Sequence, residues 1–323
     1  MAPARSALLL SAALALLGLS GLGCGSSSSG GANASASAKD ASAPLPPPPP
    51  SGPAAPASPT VLPAAAPGDP NPLHLAARKV NLDPGKRVFT FSEAMLSNAK
   101  LGSTLVLYAS TVIGLEGDDF LVEAKSGGSY RVHPAYVIPV PDDPKLKPGD
   151  PVISEWNGVM RHGVVTKFLK DQVGVRFTDM DARLPEAMLR GGKGSPTAGV
   201  PSKAARFIHP ADGLAAGNFA VLHEGTEWKH VLLVSASDDA GGKSWFCLGF
   251  GGAARIVREA DLKPIPVQWS PKQGAEVWAE WAGIMRKATV QTVDETGLFT
   301  VKFERAGRPS KVGWGMLMAP LDG

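Results

Sequence analysis

A seven-residue block, Glu155-Trp156-Asn157-Gly158-Val159-Met160-Arg161, returns 125 positions later as Glu280-Trp281-Ala282-Gly283-Ile284-Met285-Arg286. A duplication constrains the fold more than composition does, because both copies must bury the same positions in the same way. The match extends outward from the block. Gly149 and Val152 answer Gly274 and Val277, Val165 answers Val290, and Val175-Arg176-Phe177 answers Val301-Lys302-Phe303. Met188-Leu189 reads as the counterpart of Met316-Leu317, and Ile138-Pro139-Val140 as that of Ile265-Pro266-Val267. Further upstream, Gly102 and Val106 answer Gly217 and Val221. The repeating unit is therefore a pair of modules, at about 88–190 and 206–321. Between them 191–205, rich in Gly, Ser and Pro, reads as a flexible linker.

The apolar positions alternate with period two, which predicts strands. Val152, Ser154 and Trp156 share one face, as do Val277, Ala279 and Trp281. Val173, Val175 and Phe177 line another strand, matched by Phe299, Val301 and Phe303, and Phe246, Leu248 and Phe250 form a third such row placed inward. The one helical patch spans 92–99, with Ser92 as its N-cap. Short strands every 8–12 residues, broken by Gly, Asp and Pro, predict an all-β chain of small antiparallel barrels. The order of signals resembles the Tudor-like group of SH3-like barrels: a Gly, a strand ending in Trp, a Gly turn, a Val strand, a V-x-F strand and a closing Leu. That resemblance covers the second and fourth modules well and the other two weakly. It implies four small SH3-like or Tudor-like barrels as two duplicated pairs, at 88–141, 145–190, 206–267 and 270–321. The short connections 141–148 and 268–273 predict that the barrels within a pair pack together.

Ahead of the duplication, Met1 to Arg5 is a short basic n-region and 7–19 an apolar h-region of signal-peptide length. Leu22-Gly23-Cys24 then resembles a bacterial lipobox, with Gly21 in place of the usual Leu. The resemblance implies a signal peptide over 1–23 and lipid on Cys24; an uncleaved anchor is the other reading, since 6–24 is nearly long enough to span a bilayer. Gly25 is not the aspartate that retains such lipoproteins in the inner membrane, which points to the outer one. Residues 24–80, Ser/Ala/Gly and then Pro-rich with the run Pro46–Pro50, have too little apolar side chain to offset their ordering entropy and read as a disordered stalk.

The formal net charge of +3 gives no footprint for nucleic acid. Two cysteines, Cys24 and Cys247, are too few for a disulfide framework and lack metal spacing. His223 and His230 are the one close histidine pair, flanking a turn near Gly225, and read as structural. No nucleophile elbow, phosphate-cradling glycine loop or zinc-protease motif occurs. These residues point to a protein without catalytic residues, metal or cofactor.

Tryptophan and arginine carry what binding signal there is. Under the Tudor resemblance, Trp156 and Trp281 fall where the family carries one cage aromatic and Phe177 and Phe303 where it carries another. The third cage position is Arg161 or Arg286, and a guanidinium there opposes cation recognition. Two readings stay open for Trp156 and Trp281: core packing, or a Trp-plus-Arg pocket for a planar or anionic group. Six of the seven tryptophans lie in the second pair. Trp278, Trp269 and Trp314 stand there against Ile153, Asp142 and Glu186 in the first, either as partner anchors or as packing between barrels. The expected role is an envelope binding or scaffolding module, membrane-anchored through its lipid, for a protein, peptide or cell-wall polymer. A periplasmic enzyme or enzyme accessory is the alternative.

Overall fold

The computed structural model describes residues 68–76, 78–178, 198–202, 206–239, 242–294, 298–304 and 309–321. The leader, Cys24, the stalk up to residue 67, and Glu186, Met188 and Leu189 lie outside the described residues. No helix of the described residues is long and apolar enough to cross a membrane.

The described residues are nearly all-β, and their strands form two ten-stranded antiparallel sheets. Each sheet holds two modules. Module 1 contains β1 (Arg87–Thr90), the short helix α1 (Glu93–Leu96), β2 (Tyr108–Glu116), β3 (Asp119–Ala124), β4 (Ser129–Val132) and β5 (Ile138–Pro139). Module 2 contains β6 (Pro151–Trp156), β7 (Val159–Leu169), β8 (Gln172–Phe177), β9 (Ala198–Pro201) and β10 (Phe207–Ile208). Module 3 follows with β11 (Phe219–Glu224), β12 (Glu227–Asp239), β13 (Gly242–Leu248), β14 (Ala254–Arg258) and β15 (Leu262–Pro264). Module 4 has β16 (Glu276–Trp281), β17 (Ile284–Val293), β18 (Phe299–Phe303), β19 (Ser310–Val312) and β20 (Leu317–Met318). In all four the last strand pairs back onto the first, so the strand order is 5-1-2-3-4. Modules within a pair join through equivalent registers, Tyr108 opposite Val159 and Lys229 opposite Ile284.

One latch recurs four times. Gly85, Gly149, Gly217 and Gly274 all have φ between +83° and +91°, a region open to glycine at little cost. Their N–H groups donate to Val112, Val165, Leu233 and Val290, which donate back to the residue after each glycine at 2.9–3.0 Å. Each of those acceptors stands at the β-bulge of its module's second strand. The bulge bends the strand, and the glycine accepts the sharp entry that the bend requires.

The latch corrects the sequence correspondence. Gly85, not Gly102, is the counterpart of Gly217. Gly102 sits in the 91–107 insertion of module 1 and donates to the Ala254 carbonyl of module 3. The pairing of β10 with β6 matches that of β20 with β16, so Phe207, not Leu189, stands where Leu317 stands. Strand β9 falls inside the expected linker, and its register sets Ser202, not Glu186, against Trp314. Likewise Pro139 aligns with Pro264, which places Pro144 rather than Asp142 opposite Trp269. The stalk ends earlier than 80: Leu73 is buried in module 1, and its N–H donates to the Tyr136 hydroxyl at 3.1 Å.

The pairs are not separate bodies. Phe246, Leu248, Val234 and Ala254 of module 3 share one core with Phe89, Phe91, Leu105 and Tyr136 of module 1. Phe246 meets Tyr136 and Phe91 edge-on at 5.5 and 5.9 Å. Burying each such side chain contributes about 1.5–3 kcal/mol, which favours the shared core over two wet faces. The inward row on β13 is therefore Trp245 and Cys247, within module 3 itself, whereas Phe246 and Leu248 face module 1. Phe250 leaves the strand for a 3-10 turn and is exposed. The expected N-cap holds: Ser92 accepts from the Met95 N–H.

Candidate functional site

The β16–β17 hairpin turns on Ala282 (φ +50°) and Gly283 (φ +84°), and the Glu280 carboxylate accepts the Gly283 N–H at 2.7 Å. Two successive positive φ values make the tight twisted turn that suits paired strands. The turn holds Trp281 at the mouth of module 4, where its ring meets Phe303 edge-on at 4.6 Å. Arg286, on the neighbouring strand, lies on the same side of the sheet. Trp278 faces the other way, half-buried against Met285, Met318 and Trp228.

These residues line an open groove of about 770 Å³ between modules 3 and 4. Its aromatic lining is Trp228, Trp278, Trp281 and Phe303; its charges are Arg286, Lys287, Glu227 and Glu304. Trp281 is 38% exposed, a large apolar ring left to solvent beside the buried Phe303. Trp228 escaped the sequence argument because it lies outside the duplicated block. Its ring meets the tilted His223 ring at 4.4 Å, and the Lys263 ammonium lies 4.6 Å from its centroid. The groove can stack a planar or apolar group on its indoles while a guanidinium, an ammonium and two carboxylates address polar edges.

The other four predicted residues lie elsewhere. Trp314 is buried where modules 2, 3 and 4 meet, and its indole N–H donates to the Gly163 carbonyl at 2.7 Å. Trp269 packs on the module 4 core and, with Trp314, lines the cleft between modules 2 and 4. Packing between modules is thus the role of Trp314. Trp156 and Arg161 stay in module 2, where Trp156 tilts against buried Phe177 at 5.4 Å. Three of the seven residues, Trp278, Trp281 and Arg286, meet in one place.

The histidines separate likewise. His230 turns inward while His223 stays on Trp228. Phe219 lies between His162 and His230, with ring centroids 4.2 and 4.5 Å away. Each histidine Nε2 reaches a glycine carbonyl of another module, His162 to Gly217 at 2.8 Å and His230 to Gly315 at 2.7 Å. Burial pushes the His230 pKa down, the Glu280 carboxylate pulls it up, and His162 adds to the downward push. Burial raises the Cys247 thiol to about 12, so it stays protonated at neutral pH. Among the described residues no three His, Cys, Asp or Glu side chains are grouped to hold a metal ion.

The chain matches no protein-family model, and no curated protein matches it.

Proposed function

We propose that this protein is a non-enzymatic envelope scaffold, anchored through lipid on Cys24 and tethered by its Pro/Ala/Ser stalk. Its folded part is four SH3-like barrels, a reading supported by the strand order 5-1-2-3-4 found in every module. The groove of the second pair takes the partner, a protein, peptide or cell-wall polymer of the envelope. One observation carries this reading: Trp278, Trp281, Phe303 and Arg286 converge on an open groove, with an indole left exposed there. Interfaces draw most of their binding energy from such aromatic and arginine anchors.

The test is crosslinking and affinity capture from intact cells, comparing the parent with Trp281→Ala and Arg286→Glu. Each variant is expected to keep its fold and to lose about 1–3 kcal/mol of partner binding. Capture that is unchanged per folded molecule in both would remove the groove from consideration. Cys24→Ala is expected to release the protein from membranes or leave a longer precursor; a variant that fractionates and migrates like the parent would refute the anchor.

A further inference from the structure

The two pairs pack head to tail, and this leaves one copy of a docking face filled and its duplicate open. In the first pair the filled face runs across β6, β7 and β8. A Cβ on Gly217 would come within 2.5 Å of Ile153, and one on Gly313 within 2.1 Å of Thr178, so two glycine edges of the second pair press directly on it. His162 is covered by the Phe219 and Trp314 rings and bonded to the Gly217 carbonyl. Gly163 accepts from the Trp314 indole, and buried Arg176 pairs with Asp294 at 3.0 Å. The occupant of this face is therefore the glycine-flanked turn around Trp314 together with the entry to β11 at Gly217 and Phe219, which bring aromatic rings and the Asp294 carboxylate onto it.

Strand registers identify the duplicate. Ile153 and His162 pair as Trp278 and Lys287 do, Arg176 pairs with Val164 as Lys302 does with Thr289, and Thr178 matches Glu304. In the second pair Lys287, Lys302 and Glu304 are exposed and Trp278 is half-buried, where three of their counterparts are 3% exposed or less. The face carries a cation at the Arg176 position, Lys302, and another where the first pair has His162, Lys287, but has no occupant within the described residues.

We infer that this open face, the outer wall of the groove, docks a glycine-flanked turn of another protein that presents an aromatic ring with a carboxylate nearby. The inference names the occupant of the groove proposed above and rests on that proposal. Lys287 and Trp278 would meet the ring, as His162 and Ile153 meet the Phe219–Trp314 edge, and Lys302 would meet the carboxylate, as Arg176 meets Asp294. A second copy of this chain is a poor occupant. Its own Phe219–Trp314 edge is already used, and the corresponding edge of its first pair carries Arg87 and Ser202 at those positions. Arg87 would face Lys287, a like-charge juxtaposition that disfavours head-to-tail growth.

The probe is a fluorescein-labelled synthetic peptide copying 310–318, Ser-Lys-Val-Gly-Trp-Gly-Met-Leu-Met, with one aspartate added ahead of it. Anisotropy against the full chain is expected to show saturable binding, about tenfold weaker for the peptide with alanine in place of its tryptophan. Trp278→Ala and Lys287→Glu in the full chain are each expected to weaken it by about tenfold as well. Lys287 is exposed, so that variant remains informative if Trp278→Ala fails to fold. Absence of binding at millimolar peptide, or binding indifferent to the peptide's tryptophan, overturns the inference. So does parent self-association in ultracentrifugation that Lys287→Glu abolishes, since the occupant would then be a second copy. If the peptide does not bind while Trp281→Ala still loses its cellular partner, only this occupant falls; if both fail, the groove itself falls.

Discussion

Replacing Trp314 separates packing from recognition more sharply than any other change. Its ring is 7% exposed, lies 5.2 Å from His162 and 6.3 Å from Phe219, and its N–H satisfies the Gly163 carbonyl. Trp314→Ala removes nearly all of a buried indole, which costs about 3–5 kcal/mol in transfer and cavity terms. It also orphans a buried carbonyl, adding about 1–3 kcal/mol unless water enters. Trp314→Phe keeps most of the contact area and loses the hydrogen bond, so about 1–3 kcal/mol is expected. For a folded unit of this size, each kcal/mol lowers the midpoint by about 2–4 °C, which puts the alanine variant at least about 6 °C below the parent. The assay is thermal and urea unfolding of the full chain, followed by partner capture normalised to folded protein. An alanine variant within about 1 kcal/mol of the parent that nonetheless loses its partner would refute the argument, because Trp314 would then be a binding residue.

Three further outcomes follow from the geometry. His230 is neutral when folded because burial lowers its pKa, whereas in the unfolded chain it takes up a proton below about pH 6.5. Stability should therefore be complete above that pH and fall as pH drops below it, by at most about 1.4 kcal/mol per pH unit until the folded-state pKa is reached; urea titrations at pH 5 and 7.5 of the parent and His230→Asn would expose a missing slope. Ala282→Asn should stabilise by about 1 kcal/mol, since the duplicate places Asn157 at the same φ of +50° and asparagine tolerates it better than alanine; an unchanged or lower melting point would count against a strained turn. Residues 206–323 expressed alone should melt without a sharp cooperative transition, because Phe246 and Leu248 lose their cover and Arg206 to Ile208 belong to the first sheet; a cooperative melt would show the shared core to be dispensable.

The hairpin Glu155–Arg161 was legible because a two-residue turn and an alternating core face leave few substitutions open, so both copies kept the same letters. The all-β class and the helix cap at Ser92 were legible for the same local reason. The edges of modules were not. Strand β9 reads Ala-Gly-Val-Pro, whose register with β8 depends on contacts across the sheet rather than on its own pattern. The two faces of β13 are both apolar, and alternation alone cannot say which faces its own module and which a neighbour. The groove was half legible. The contrast of Trp278 with Ile153 marks a real difference of surroundings, but it cannot reveal that Ile153 is covered by Gly217 of the same chain. Trp228 sits beyond the repeated block, and only the β11–β12 hairpin brings it to Trp278.

The insertion in module 1 also sets a schedule. The glycine and its bulge partner stand sixteen residues apart in modules 2, 3 and 4 but twenty-seven apart in module 1. Loop-closure entropy makes the longer span only about 0.5 kcal/mol dearer, so length by itself delays little. What the insertion packs against matters more. Leu105 and Ser103 bond to Gly252 and Ala254, and Phe91 rests on Phe246, some 140–155 residues downstream. A chain emerging amino-terminus first can close the short hairpins of module 2 as they appear, yet must wait for module 3 before module 1 can bury its aromatic residues. Module 1 is thus synthesised before module 2 yet cannot be finished until module 3 has emerged, and until then its exposed Phe and Leu side chains need protection.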